Sequence, residues 1–152
     1  MKKIFIGLIT NIIFLILFTT QSFGATVDYV KQEIVRQSVS MGVEPAIMLS
    51  IAKAESGFRQ EARGAGGPVG VFQLMPATAK RLGVNPYNLE DNIKGGILYY
   101  QSMYKTFGSM ELAVAAYNLG PMAIKRNNNT VPPSARNFVS RIMKDYNYYK
   151  TH

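Results

Sequence analysis

Glu55 differs from the other acidic residues of this chain, nine in all, in where it falls in the sequence pattern. It follows Met48 and Ile51 at the i, i+3, i+7 spacing that places side chains on one face of a helix. A carboxyl group on an apolar face loses water, which disfavours its ionised form and raises its pKa. A general acid that works near neutral pH, as in glycosidic cleavage, needs this property. A glutamate near a helix end can also turn outward into water, so the pattern alone leaves both interpretations open.

The composition removes several other kinds of chemistry. The chain has no cysteine, which excludes disulfides, thiolate catalysis, thiolate metal sites and lipid attachment through cysteine. Its one histidine, His152, is the last residue of the sequence, so metal sites and catalytic triads lack their usual ligand and base. The sequence therefore predicts neither a metal site nor a cofactor.

Six segments have the apolar spacing of helices, and these helices would form the domain that positions Glu55. They are bounded by glycine or proline, and the predicted ranges are 27–41, 44–56, 76–82, 93–107, 112–119 and 138–149. Glu55 lies in the last turn of the second. The fourth carries a stripe that is expected to face the core: Ile93, Ile97, Tyr100, Tyr104 and Phe107.

The segment 59–70 contains too many glycines and prolines for a helix and is predicted to be a loop that runs close to a ligand or to another part of the backbone. No segment alternates with period two between hairpin turns, and no internal repeat is visible. The predicted fold class is all-α to α+β. It is a compact helical domain in which a minor β-hairpin is allowed in the glycine-rich loop.

Four blocks of the sequence resemble the soluble-type lytic transglycosylases, lysozyme-like enzymes that cleave peptidoglycan between N-acetylmuramic acid and N-acetylglucosamine. The blocks occur in the family's order, and the resemblance extends over residues 43–142. They are Ala54-Glu55-Ser56-Gly57-Phe58, Gly70-Val71-Phe72-Gln73-Leu74-Met75-Pro76-Ala77-Thr78-Ala79, Glu90-Asp91-Asn92-Ile93 and Ala115-Ala116-Tyr117-Asn118-Leu119-Gly120-Pro121. The resemblance implies a lysozyme-like fold and the peptidoglycan glycan strand as substrate.

The resemblance also implies roles for two adjacent residues. Glu55 matches the family's catalytic glutamate. Ser56 is its motif partner, and the resemblance implies that it helps to bind the substrate. A purely structural role for Ser56, as a hydroxyl at a helix C-terminus, stays open. Asn92 matches a buried asparagine that opens a long helix, and we interpret it as structural.

Four further residues are implied to line the sugar-binding cleft. Gln73 and the backbone around Phe72 match the family's Gly-Leu-Met-Gln block, in which this chain has Val71 and Phe72 for Leu and Met. Phe72 could stack on a sugar or fill the core. Tyr117 is implied to point its hydroxyl toward the catalytic carboxyl, although it could also be a core residue, and Asn118 is implied to shape the cleft.

The chain departs from the family pattern at three places. The loop serine appears as Gly64, the alanine before the Gly-Leu-Met-Gln block appears as Pro68, and the late Glu-Thr-Arg-Asn-Tyr pattern reads 134–138 as Ser-Ala-Arg-Asn-Phe. A hydroxyl contact in the loop and a late aromatic hydroxyl are therefore not expected here.

The resemblance implies a mechanism with one carboxylate, whereas glycosidases normally use two. Glu55 would protonate the glycosidic oxygen and then deprotonate the muramyl 6-hydroxyl, which closes a 1,6-anhydro ring without water. One alternative is a goose-type lysozyme-like muramidase, in which Glu61 or Asp91 would hold a water. Another is a catalytically silent wall-binding or assembly protein.

The first 24 residues predict export. Lys2 and Lys3 precede an apolar run over residues 4–20, and small residues end at Gly24, which matches a signal peptide followed by a domain over 25–152. A retained membrane anchor is the alternative. The expected location is the periplasm or the cell wall.

The net charge of +8 becomes +6 without residues 1–24, because two lysines leave with them. A basic surface attracts anionic polymers, but the arginines form no tract, and export makes nucleic acid the least expected partner. Stand-alone members of this family often accompany secretion, conjugation or pilus machines, so the resemblance implies local wall remodelling beside such a machine.

Overall fold

The computed structural model of the protein describes residues 27–152, and these form a helical domain. In chain order the helices are α1 (27–40), α2 (Pro45–Ser56), α3 (Pro76–Leu82), α4 (Leu89–Phe107), α5 (Met110–Leu119), α6 (Pro121–Arg126) and α7 (Arg136–Thr151). A 3-10 turn, Pro133–Ala135, leads into α7. The predicted signal peptide lies outside the described residues.

The helices begin and end at residues that can form hydrogen bonds with the free backbone N–H and carbonyl groups of a helix terminus. Gly57 ends α2 in the left-handed conformation, with φ of 61°, and its N–H donates to the carbonyls of the last turn. The side chains of Asn88 and Ser109 accept hydrogen bonds from backbone N–H groups in the first turns of α4 and α5. The end of α2 places Glu55 one residue before the last helical position.

Helix α5 lies at the centre of the fold. It packs against α4, α6 and α7, while α2 packs against α7. Four consecutive residues of α5 are fully buried: Ala113, Val114, Ala115 and Ala116. Because their side chains are small, the neighbouring helices approach closely, and the large apolar residues of α2, α4 and α7 close the core around them.

The helical prediction is confirmed, with one helix missed. Gly120 and Pro121 were expected to end the helix over 112–119, and no further helix was predicted before residue 138, but Pro121 is the first residue of α6. Proline suits this position because the first helical N–H needs no partner. Gly120, with φ of 81°, turns the chain between the two helices.

The minor hairpin that the sequence allows in the glycine-rich loop does not form in the described part of the chain. Instead, Val69 forms isolated β-bridges with Arg63 and Leu74. The turn at Gly70 brings Val69 and Leu74 together through reciprocal backbone hydrogen bonds of 3.0 Å. The loop is therefore compact without being a sheet.

The predicted core stripe of α4 is correct except at Tyr104, which is 46% exposed. The helical period places Tyr104 above Tyr100, but no element within residues 27–152 covers its side chain. Tyr104 lines an open groove of about 660 Å³ between α4 and the connection from α1 to α2. Met103 is buried instead.

No helix within residues 27–152 combines the length and apolar composition that a membrane crossing requires.

Gly96 of α4 faces the ring of Phe72 so closely that a Cβ atom would overlap it. We expect Gly96→Ala to lower the free energy of unfolding by about 1–3 kcal/mol, because a ring in a packed core cannot move aside. Gly95→Ala is the matched control, since its Cβ would meet side-chain methyl groups of Leu74 and Val84. Urea unfolding measures both, and equal losses would contradict the packing argument.

Candidate functional site

The Glu55 side chain is half-buried at the end of α2, between two adjoining cavities. Within residues 27–152 its carboxylate accepts no hydrogen bond and forms no ion pair within 4 Å. Both cavities are lined by Glu55 and by Gln73. The two residues therefore stand at the middle of one cleft.

Burial raises the pKa of Glu55 from its ordinary value of 4.5 to about 7, because the ionised form loses solvation without gaining a hydrogen-bond donor. The positive charge of Arg141 opposes part of this rise. At neutral pH the carboxyl therefore populates both protonation states, as a group that first donates and then accepts a proton requires.

We call the larger cavity, of about 410 Å³, the aromatic cavity, because two tyrosine rings line it together with apolar and polar groups. Tyr99 and Tyr117 pack with ring centroids 5.0 Å apart, and both line it. Met75 and Leu119 add exposed apolar surface, and Asn118 adds an amide at the rim. Flat apolar surfaces with a few polar groups suit the faces and hydroxyls of sugar rings.

The smaller cavity, of about 380 Å³, is mainly charged. Besides Glu55, its lining includes Arg59, Glu61 and Arg63, which are exposed, and Gly64, which has no side chain to fill it. Of the two acidic residues that the resemblance offered as holders of a water, Glu61 lies in this cavity. Asp91 lines neither cavity and accepts a hydrogen bond from the backbone N–H of Asn85 at 2.9 Å.

Gln73 has an unusual backbone conformation for a residue with a side chain, with φ of 46°. Its side-chain amide donates to the carbonyl oxygens of Gly70, at 2.9 Å, and Ala62, at 3.3 Å. These two bonds use the donors of the amide and leave its oxygen to accept from a ligand. The strained turn thus directs a fixed acceptor into the cleft beside Glu55.

Tyr117 and Phe72 form one unit below the cleft. The buried hydroxyl of Tyr117 donates to the carbonyl oxygen of Phe72 at 2.8 Å. Burial, together with the nearby Glu55 carboxylate, raises the pKa of Tyr117 well above its ordinary value, so the hydroxyl keeps its proton. The Phe72 side chain is fully buried against α4, which leaves it no face to offer a sugar and favours its core role.

Ser56 and Asn92 hold the same loop from two helices. The hydroxyl of Ser56 donates to the carbonyl of Val71 at 2.8 Å and accepts from the N–H of Arg59 at 3.1 Å. It is buried and lines neither cavity, so its contacts are structural. The side-chain oxygen of Asn92 accepts from the N–H of Phe72 at 2.9 Å, and its amide donates to the carbonyls of Val69 in the loop, at 2.8 Å, and of Pro86 before α4, at 2.9 Å.

Two of the departures from the family pattern prove to be neighbours in space. A Cβ atom on Gly64 would lie 2.6 Å from Cγ of Pro68 and 2.7 Å from the side-chain oxygen of Gln73. A serine at position 64 therefore does not fit beside Pro68 and the present position of Gln73. The proline ring occupies space that the hydroxyl would need.

The sequence prediction missed Tyr99 and Arg141. Tyr99 lines the larger cavity, and Arg141 is the charge that influences Glu55. Arg141 lies 5.7 Å from the ring centroid of Phe138, its i−3 neighbour on α7. That spacing is visible in the sequence, but the packing of α7 against α2, which brings the arginine near Glu55, is not.

Residues 27–152 contain no group of three acidic, histidine or cysteine side chains that could hold a metal ion.

Comparisons with known proteins agree on one family. The sequence profile of the transglycosylase SLT domain matches residues 33–138. A curated relative, the transglycosylase of Enterobacteria phage PRD1, is 29% identical over 111 residues, which are 72% of this chain and 40% of the relative. The chain thus spans less than half the length of that relative.

Two solved structures share the fold, and each aligns with 79% of this chain and 24% of its own. The 70 kDa soluble lytic transglycosylase of Escherichia coli has a TM-score of 0.71 and 25% identity. An inactive mutant of the lytic transglycosylase Slt of Pseudomonas aeruginosa has a TM-score of 0.70 and 24% identity. The predicted lysozyme-like helical fold is confirmed.

Replacing Asn92 by alanine should destabilise the fold by about 3 kcal/mol, since one backbone N–H and two backbone carbonyls would lose buried partners. Asn88→Ala is the control, because it removes an exposed cap of the same helix and should cost about 1 kcal/mol. Chemical denaturation compares the two variants. Similar losses of unfolding free energy in the two variants would show that the buried Asn92 amide stabilises the fold no more than an exposed helix cap.

Replacing Glu55 by glutamine should stabilise the protein above pH 7. The folded carboxyl, with a pKa of about 7, binds its proton more tightly than the unfolded one, so wild-type stability falls as pH rises from 4.5 to 7. Glutamine carries no such penalty. We expect Glu55→Gln to gain about 2 kcal/mol on the wild type between pH 4 and pH 8. A pH-independent difference in unfolding free energy would contradict a desolvated carboxyl.

Proposed function

Since this chain belongs to the transglycosylase SLT family, we propose that it cleaves the β-1,4 bond between N-acetylmuramic acid and N-acetylglucosamine in peptidoglycan, leaving a 1,6-anhydromuramyl end. The observation that carries the proposal is the Glu55 carboxyl, which is half-buried in a cleft, has a pKa of about 7 and has no hydrogen-bond or ion-pair partner within residues 27–152. The aromatic cavity on one side of it is suited to sugar rings.

In the first step, Glu55 donates its proton to the glycosidic oxygen, and the bond from that oxygen to C1 of the muramyl sugar breaks. The acetamido group of the muramyl sugar stabilises the positive charge that develops at C1. In the second step, the 6-hydroxyl oxygen bonds to C1 and gives its proton to Glu55. The carboxyl is then restored, and no water is consumed.

The use of one carboxyl is supported by the lining of the cleft. Retaining and inverting glycosidases place two carboxyl groups about 5–9 Å apart around the reacting bond. Among the described residues that line the larger cavity, Glu55 is the one acid. Gln73, whose amide is fixed by two backbone carbonyls, and Tyr117, whose hydroxyl is bonded to the Phe72 carbonyl, line this cavity with it.

Hydrolysis is the second candidate, and Glu61 is the observation that favours it. Its carboxylate lines the smaller cavity together with Glu55 and could orient a water molecule. The product would then be a reducing muramyl end, as a lysozyme-like muramidase leaves.

We further propose that the protein acts outside the cytoplasm. The charged start, apolar run and small residues of 1–24 support export to the periplasm or the cell wall. A single domain of this size would suit local opening of the wall around a secretion, conjugation or pilus apparatus. A membrane-anchored form would act at the same place.

Mass spectrometry of the muropeptides released from purified peptidoglycan tests the proposal. The wild-type protein should release fragments with anhydromuramyl ends, and Glu55→Gln should release at least a thousandfold fewer, as expected when the proposed proton donor is removed. Glu61→Gln is the matched control at the neighbouring carboxyl, and it should retain the anhydro product.

The chemical form of the muramyl end on the released fragments distinguishes the candidate reactions. Reducing ends that disappear in Glu61→Gln would replace the lyase with a hydrolase. Glu55-independent release, or no release by a folded protein, would overturn the catalytic proposal and favour a wall-binding role.

A further inference from the structure

The smaller cavity carries two arginine side chains that the proposed reaction does not use. Arg59 and Arg63 lie in the loop after α2, on the opposite side of Gln73 from the aromatic cavity. Within residues 27–152 neither forms an ion pair within 4 Å, although Glu61 lines the same cavity. Other cations of the chain, Arg36 and Lys53, have carboxylate partners.

Both guanidinium groups are held in place by backbone carbonyls. Nε of Arg59 donates to the carbonyl of Ser56 at 2.8 Å. Nη1 of Arg63 donates to the carbonyls of Gln60 and Ala62, at 3.0 and 2.8 Å, and its guanidinium lies 5.4 Å from the ring centroid of Tyr87. A guanidinium fixed in this way loses little conformational freedom when it binds an anion.

The bonds leave a free edge on each arginine. In Arg63, both hydrogens of Nη1 are used, which leaves the edge formed by Nε and Nη2. In Arg59, Nε is used, which leaves the edge formed by the two terminal nitrogens. Two parallel N–H groups on one edge match the two oxygens of a carboxylate. Both arginines line the smaller cavity, of about 380 Å³, which has room for such a group.

In the substrate of the proposed function, the carboxylates are on the peptides. The sugars of the glycan strand carry neutral hydroxyl and acetamido groups, while the lactyl group at C3 of each muramyl sugar bears a peptide stem with free carboxylates. Because C1 of that same sugar reacts at Glu55, its stem leaves the cleft close to the catalytic carboxyl.

We infer that Arg59 and Arg63 bind a carboxylate of the peptide stem next to the scissile bond, and so make the enzyme selective for strands whose stems carry free carboxylates. This inference rests on the proposed function. It gives the charged cavity a ligand class, a peptide carboxylate, that differs from the sugar rings of the aromatic cavity.

The test uses two forms of one substrate: soluble glycan strands with their native stems, and the same strands whose stem carboxyls have been converted to carboxamides with carbodiimide and ammonium. For wild-type protein, kcat/KM should be roughly tenfold higher on the native strands, the size expected for two exposed charge-assisted contacts. The preference should weaken as salt is added.

In the double variant Arg59→Gln/Arg63→Gln the ratio of the two kcat/KM values should fall close to one. Arg63→Lys keeps the positive charge but cannot present two parallel N–H groups, so it should give an intermediate ratio. Arg126→Gln is the control for net charge, because Arg126 is exposed on α6 and lines neither cavity, and it should keep the wild-type ratio.

Binding separates the inference from the proposed reaction. Glu55→Gln protein should bind native strands more tightly than carboxamide strands, and adding the two arginine substitutions should remove the difference, whether or not the wild type turns over. If the wild type shows no preference in binding, or if the preference survives the double substitution, the inference is overturned. Loss of cleavage with the binding preference intact would instead overturn the proposed reaction alone.

Discussion

Three side chains from three helices fix the backbone of residues 69–73, and the rest of the site depends on this loop. Asn92 of α4 holds the N–H of Phe72 and the carbonyl of Val69. Ser56 of α2 holds the carbonyl of Val71, and Tyr117 of α5 holds that of Phe72. Each of the three side chains joins the loop to a different helix. A shift in any one helix would therefore move the loop relative to Glu55.

The loop has to be rigid because it carries a strained residue. Gln73 sits in the left-handed region, which side chains other than glycine occupy at a cost, and its amide is bound to two carbonyls of its own loop. Gly70 permits the preceding turn, since a Cβ there would overlap the Asn92 amide. The buried bonds of Asn92, Ser56 and Tyr117 supply the stabilisation that keeps this conformation populated.

Glu55 is a second residue whose position lowers the stability of the fold. A half-buried carboxyl that has no hydrogen-bond donor within residues 27–152 destabilises the fold at neutral pH, and its desolvation gives it the pKa that acid–base work needs. Arg141 limits the rise without forming a bond that would hold the carboxyl ionised. The cleft also differs on its two sides, aromatic beyond Tyr117 and charged around Arg59 and Arg63, so one bound strand would meet both.

The sequence by itself determined most of the helices and the position of Glu55, because helical periodicity and glycine or proline boundaries are local properties. It missed α6, where the same Gly-Pro pair that ends α5 also starts the next helix. Its four blocks also indicated Gln73, Tyr117 and Asn118, which all line the larger cavity with Glu55.

Only the tertiary structure decided which side chains face the cleft and which support it. Phe72 and Ser56 are buried in supporting positions, while Tyr99 and Arg141 enter the site from helices that are distant in sequence. Tyr104 continues the apolar stripe of α4 but lies exposed, because no helix of residues 27–152 covers it. These outcomes depend on the packing of α2 against α7 and of α4 against α5. The periodicity of a sequence shows which residues share one face of a helix. Which element packs against that face is decided by contacts between residues that are distant in the sequence.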